Sequence, residues 1–196
     1  EEWNIEHRDT AYINVALEAH TDGCYSANPP GVQFFQIPLP ATVGGGENFL
    51  VDGLAIAQSM RHHHPEHFET LCRIPVPYQY LDADQGLSLE ASYPVFRCDP
   101  ATGRLVEFHW NNADRAPLPH LLHLSEQRQF LDAIKALVAT IRKPENSLIL
   151  PMKKDWLLAV NNWRVMHGRH EFHGERRLMG AYVTRDTFDI CRSRLV

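Results

Sequence analysis

His20, Thr21 and Asp22 place an imidazole and a carboxylate two residues apart. On an extended strand, residues i and i+2 project to one side with Cα atoms ~7 Å apart, close enough to share one metal ion. His167 stands far along the chain, at the end of the strand-like run Trp156–Met166 and just before Gly168. It completes the set if both strands line one barrel. Two imidazoles and one carboxylate on one face of an ion leave three positions open. That is the facial arrangement of non-haem iron(II) sites, where a cosubstrate and dioxygen both reach the metal. The triplet alone is common in proteins, and a hydrogen-bonded surface pair is its plain alternative.

Arg176 follows His167 by nine residues, on the next strand-like run. By alternation Arg176, Leu178, Gly180 and Tyr182 share one face, and Arg177 points away. A guanidinium on the wall of a metal site grips a carboxylate with two parallel hydrogen bonds, so it suits the far end of a dicarboxylate cosubstrate. A surface salt bridge is the alternative for Arg176.

The elements that must position these groups are mostly short strands broken by Pro and Gly. Residues 31–39 (GVQFFQIPL) read as a strand closed by Pro38 and Pro40. Gly44–Gly46 read as a hairpin loop into a second strand at 47–53; no Lys-Ser or Lys-Thr pair follows to make a phosphate loop. Residues 54–64 and 65–72 read as two helices, with Pro65 suited to the first turn of the second. Phe130, Ile134, Leu137, Val138 and Ile141 form an apolar helical stripe, with Ser125 as N-cap and Pro144 beyond the end. Strands are expected at 104–110, 155–168 and 176–185. Many short strands with inserted helices predict a mainly β jelly roll with helices packed outside.

The chain has 196 residues, 44% hydrophobic and 22% charged, with a net charge of −5. That is enough for one domain with a sizeable core. No basic stripe calls for nucleic acid, and no apolar run is long enough to span a bilayer. Cys24, Cys72, Cys98 and Cys191 form no CxxC pair and read as reduced thiols of an intracellular protein. His62, His63 and His64 read as a solvated helix end, because a metal needs convergent, fixed ligands. Trp3 reads as packing.

Five ordered blocks carry a resemblance: DTAYINVALEAHTD (9–22), PPGVQFF (29–35), GGENFLVDG (45–53), WNNADRA (110–116) and NNWRVMHGRHEFHGERRLMGAYVTRD (161–186). They resemble the Fe(II)/2-oxoglutarate oxygenases of carnitine biosynthesis, the family of trimethyllysine and γ-butyrobetaine dioxygenases. The resemblance implies a double-stranded β-helix (jelly roll), with iron held by His20, Asp22 and His167 and 2-oxoglutarate held by Arg176. It implies an aromatic cage for a quaternary ammonium, with Tyr12 and Tyr182 as members; such a group donates no N–H, so ring faces are its natural partners. It places Asp9 and Asn111 at the other end of the substrate. Aspartate at position 9, where butyrobetaine enzymes carry asparagine, suits an α-ammonium. Asn48 stands where the family has Thr or Ser after the glycine turn, so an amide must help hold 2-oxoglutarate.

The implied reaction is C3 hydroxylation of N6,N6,N6-trimethyllysine, the first step of carnitine biosynthesis, coupled to decarboxylation of 2-oxoglutarate to succinate. Dioxygen is the co-reactant and ascorbate the reductant. Two alternatives stand beside it: γ-butyrobetaine hydroxylation, and a catalytically silent metal-binding β-barrel. Residues 1–196 are expected to be the catalytic domain, with an N-terminal domain and early strands upstream. A mitochondrial or cytoplasmic location and a homodimer fit the family.

Overall fold

Val51 and Met166 are cross-strand partners, and both are buried against helices. The computed structural model describes residues 14–118 and 123–194. Strands β1 (Leu17–His20), β2 (Val32–Leu39), β3 (Gly44–Gly45) and β4 (Asn48–Asp52) lead into helices α1 (Gly53–His63) and α2 (Pro65–Arg73). Strands β5 (Val76–Asp82), β6 (Leu87–Tyr93), β7 (Phe96–Cys98) and β8 (Leu105–Phe108) precede helix α3 (Leu124–Ile141). A 3-10 turn at Pro144–Asn146 opens the last run: β9 (Ser147–Leu150), β10 (Leu157–Asn161), β11 (Val165–Arg169), β12 (Phe172–His173), β13 (Arg177–Val183) and helix α4 (Arg185–Ser193).

Two antiparallel sheets matter for function. The larger has the order β1-β11-β4-β9 and the smaller β10-β2-β13. Helices α1, α2 and α3 cover one face of the larger sheet, where Ile56, Met60, Leu71, Phe130 and Leu137 pack with Val51 and Met166 in one cluster. The opposite face looks at the smaller sheet: the Phe35 ring of β2 meets His167 of β11 edge-on, centroids 5.0 Å apart. This is the mainly β architecture with added helices that the sequence predicts, two facing sheets of a double-stranded β-helix that do not close into a barrel.

Local chemistry fixes the boundaries. Asp52 caps α1 by accepting from Leu54 N at 2.9 Å and also binds Arg164, so it ties the helix start to the turn before β11. Pro65 opens α2 as expected. In α3 the residues Phe130, Ala133, Ile134, Leu137 and Ile141 recur at helical spacing on the buried face.

Several expectations need correction. Residues 155–168 are two strands in two different sheets, because Asn162, Trp163 and Arg164 form a turn between β10 and β11. Gly44–Gly46 do not close a hairpin between β2 and β4, which lie in separate sheets; Gly44 and Gly45 pair with β12. Gly45 has φ 77°, and a Cβ there would meet Glu171 O at 2.2 Å, so only glycine permits that close approach. The N-cap of α3 is His123, not Ser125, which lies inside the helix. The strand expected to reach residue 185 stops at Val183, where Thr184 caps α4 through a bond from Thr187 N. The four cysteines are free, as predicted. His62, His63 and His64 are exposed.

Candidate metal centre

The β1–β11 ladder puts His20 directly opposite His167, and the two rings lie 4.4 Å apart between centroids. Cross-strand partners project to the same face, which is why residues so distant in sequence converge. Asp22 arrives differently from the expectation. Strand β1 ends at His20, and Asp22 sits in the following turn rather than at i+2 on a strand. Its backbone is held instead. Asn162 Oδ1 accepts from Asp22 N at 2.8 Å, and Asn162 Nδ2 donates to Asp22 O at 3.0 Å and Pro30 O at 2.9 Å. Buried Thr21 is pinned beside it: Thr21 N donates to Trp110 O at 2.7 Å, and Trp110 N donates to Thr21 Oγ1 at 3.0 Å.

The result is a compact donor set. His20 Nε2 is 3.2 Å from Asp22 Oδ1, and His167 Nε2 is 3.6 Å from Asp22 Oδ2. One ligand atom from each residue lies within 4.8 Å of the others, the only such group among the described residues. The protonation pattern also fits a cation. His20 Nδ1 is 2.7 Å from Glu18 O and donates to it, which leaves Nε2, facing Asp22, as the nitrogen a metal takes in place of a proton. Burial, reinforced by the charge of His20, lowers the pKa of His167 to about 3, which keeps it a neutral ligand. Burial raises the pKa of Asp22, but hydrogen bonds from His20 and Tyr182 and the charges of His167 and His20 outweigh it, and the carboxyl lies well below its usual range. A borderline cation with nitrogen and oxygen donors, such as Fe(II), suits this set.

Arg169 and Arg176 form a cationic cluster around Phe172. Arg176 Nη2 donates to Asn48 Oδ1 at 3.1 Å, so the two residues expected at the cosubstrate meet. Asn48 in β4 pairs with Arg169 in β11, a residue not singled out from the sequence. Arg169 is buried, donates to Val15 O at 2.8 Å, and its guanidinium lies 4.9 Å from the Phe172 ring centroid; Arg176 lies 5.7 Å from the same ring. Burial and the nearby Arg169 charge lower the pKa of Arg176 to about 10. Two cations thus lie around one ring. Alternation from His167 to Arg169 along β11 is the signal that could have found the second one.

Tyr182 reaches the centre from β13. Its hydroxyl donates to Asp22 Oδ2 at 2.9 Å and accepts from Gln33 Nε2 at 3.3 Å. The bulge in the β13–β2 register between Arg177 and Met179 breaks strict alternation; Tyr182 meets Asp22 while Arg176, just before β13, meets Asn48. Asn111 is engaged locally, where its Nδ2 donates to Asp114 Oδ2 at 2.7 Å and its Oδ1 accepts from Ala113 N at 3.0 Å. Asp9, Tyr12 and Trp3 lie outside the described residues.

Known proteins resemble this chain in sequence and fold. The sequence matches the taurine catabolism dioxygenase TauD, TfdA family over residues 1–182. The chain belongs to that family. Relatives of this TauD/TfdA chain include trimethyllysine dioxygenase of Meyerozyma guilliermondii, 36% identical over 94% of the chain and 46% of the relative, and human gamma-butyrobetaine dioxygenase, 28% identical over 97% and 49%. The chain therefore spans about half the length of these curated relatives. Among solved structures, an asparagine oxygenase in complex with Fe(II), 3-hydroxyasparagine and succinate superposes with a TM-score of 0.66 at 16% identity, covering 87% of this chain and 50% of that one. At that identity the likeness speaks to the fold of the TauD/TfdA domain. No helix among the described residues is long and apolar enough to cross a membrane.

Proposed function

We propose that this chain is the catalytic portion of a trimethyllysine dioxygenase. The observation that supports the reading best is the convergence of His20, Asp22 and His167 on one point, together with the Arg176–Asn48 hydrogen bond. The higher identity to a trimethyllysine dioxygenase than to a gamma-butyrobetaine dioxygenase favours the first substrate.

In this reading His20, Asp22 and His167 hold Fe(II), and Arg176 takes the distal carboxylate of 2-oxoglutarate with two parallel bonds. Asn48 fixes the guanidinium, and Arg169 adds a second positive charge. The bound iron supplies activation of dioxygen, with ascorbate as the reductant that keeps it ferrous. One oxygen atom enters the substrate C3–H bond and the other enters succinate, with release of carbon dioxide. The chain's own residues aim that bond. Tyr182, with Tyr12, offers ring faces to the trimethylammonium group, each worth ~0.5–2 kcal/mol. Asp9 and Asn111 take the amino-acid end, Asn111 by giving up its bond to Asp114. Holding both ends turns binding energy into orientation of one C–H bond.

The experiment is a side-by-side assay of the full protein with Fe(II), 2-oxoglutarate, ascorbate and dioxygen, with products read by mass spectrometry. Trimethyllysine should gain one oxygen atom and succinate should form in equal amount. Hydroxylation of γ-butyrobetaine instead would move the chain to the other branch. Metal binding with neither product would leave a silent metal-binding fold.

A further inference from the structure

Gln33, Tyr182 and Asp22 form a continuous hydrogen-bonded line from the small sheet to the metal centre. The line starts on a fixed group, because Gln33 is 4% exposed and lies opposite Tyr182 in the β2–β13 ladder. It ends on one oxygen of the carboxylate, Oδ2, at 2.9 Å. The other oxygen, Oδ1, faces His20 Nε2 at 3.2 Å, while Oδ2 lies farther, 3.6 Å, from His167 Nε2. A phenol that accepts one hydrogen bond still has its own proton to donate, and donors in series strengthen one another.

We propose that Tyr182 is a positioning residue for the metal: its hydroxyl holds Asp22 Oδ2, so that the carboxylate presents Oδ1 alone. A carboxylate that offered both oxygens would occupy a further coordination position. A three-ligand face leaves three positions, and a chelating keto-acid with dioxygen uses all of them. Holding Oδ2 aside therefore keeps the third position available. In the trimethyllysine reading the face of the same phenol ring meets the quaternary ammonium, and the inference rests on that reading only for its link to substrate. The ring face meets substrate and the ring edge meets the metal's carboxylate, so a seated cation steadies Asp22 through one side chain.

Tyr182→Phe separates the two roles, because it keeps the ring and removes the hydroxyl. Tyr182 is 58% exposed, so the variant should unfold at the wild-type temperature. In the full protein its Co(II) absorption spectrum should change, and its Fe(II) affinity, measured by chelator competition, should fall about 10-fold. Its kcat should fall with the KM for trimethyllysine held within about twofold. Gln33→Leu should change the Co(II) spectrum in the same direction and by less. Wild-type spectrum and metal affinity in Tyr182→Phe would overturn the proposal. A raised KM with an unchanged spectrum would also overturn it and leave Tyr182 with substrate alone. If wild-type protein left trimethyllysine untouched while Tyr182→Phe still altered the Co(II) spectrum, the substrate reading would fall and this one would stand.

Discussion

His20 and His167 face each other across one rung of the β1–β11 ladder, with their ring centroids 4.4 Å apart. Metal binding therefore depends on how closely these two strands approach, and Gly168 sets that distance. A Cβ on Gly168 would lie 2.8 Å from Leu17 O and 2.2 Å from the Phe49 ring. Gly168→Ala should push β1 away from β11, lower thermal stability, and weaken Fe(II) binding measured by titration calorimetry. His167→Ala should abolish metal binding with little change in the unfolding temperature. If Gly168→Ala binds iron as tightly as wild type, the ladder does not set the ligand spacing.

Arg169 and Arg176 bring two like charges to one ring, that of Phe172, and burial lowers the pKa of both. A dicarboxylate should stabilise the fold, by about 2.7 kcal/mol at a ligand concentration of 100 Kd. We expect 2-oxoglutarate to raise the melting temperature of wild-type protein and not that of Arg176→Met. Equal ligand-induced shifts in the two proteins would place the dicarboxylate elsewhere.

Much of this centre was legible in the chain. His20, Asp22, His167 and Arg176 were readable as types at telling positions, and the structure brings the first three together. The route was not. Alternation along a strand predicts that His20 and Asp22 share a face, but β1 stops at His20, and Asp22 is carried into place by Asn162 from the β10–β11 turn. Side-chain clamps on backbone leave no period in a sequence, so 155–168 read as one strand. Gln33 was equally silent, a polar residue in the apolar strand 31–39 whose partner, Tyr182, is fixed only by sheet register.

Asn162 is 1% exposed, and its amide satisfies Asp22 N, Asp22 O and Pro30 O together. Asn162→Ala strands these buried backbone groups, each worth about 1–3 kcal/mol. We expect a loss of about 3 kcal/mol in urea denaturation and a weaker metal site, since Asp22 loses its anchor. Asn162→Asp should be worse, because a carboxylate there faces two carbonyl oxygens it cannot bond. A wild-type denaturation midpoint in Asn162→Ala would show that the turn holds without the clamp.

The histidines predict how the metal-free protein responds to acid. The pKa of His167 falls to about 3 in the folded chain, against 6.5 for the free side chain. Between these values the unfolded chain binds a proton that the folded chain refuses. Stability is therefore present above pH 6.5 and is lost as pH falls toward 3, with a slope of up to about 1.4 kcal/mol per pH unit. His20 behaves oppositely. Burial lowers its pKa, but the hydrogen bond and charge of Asp22 outweigh this and raise it above 6.5. Its contribution is complete below 6.5 and fades as pH rises through the raised value, so it adds no slope in the acid window. Urea titrations of metal-free protein should show the midpoint falling below pH 6.5, and His167→Gln should flatten that fall. Iron must also displace the proton that His20 shares with Asp22, so chelator competition should show metal affinity rising with pH. An acid-independent midpoint in wild-type protein would mean that His167 accepts its proton in the folded chain as readily as in the unfolded one.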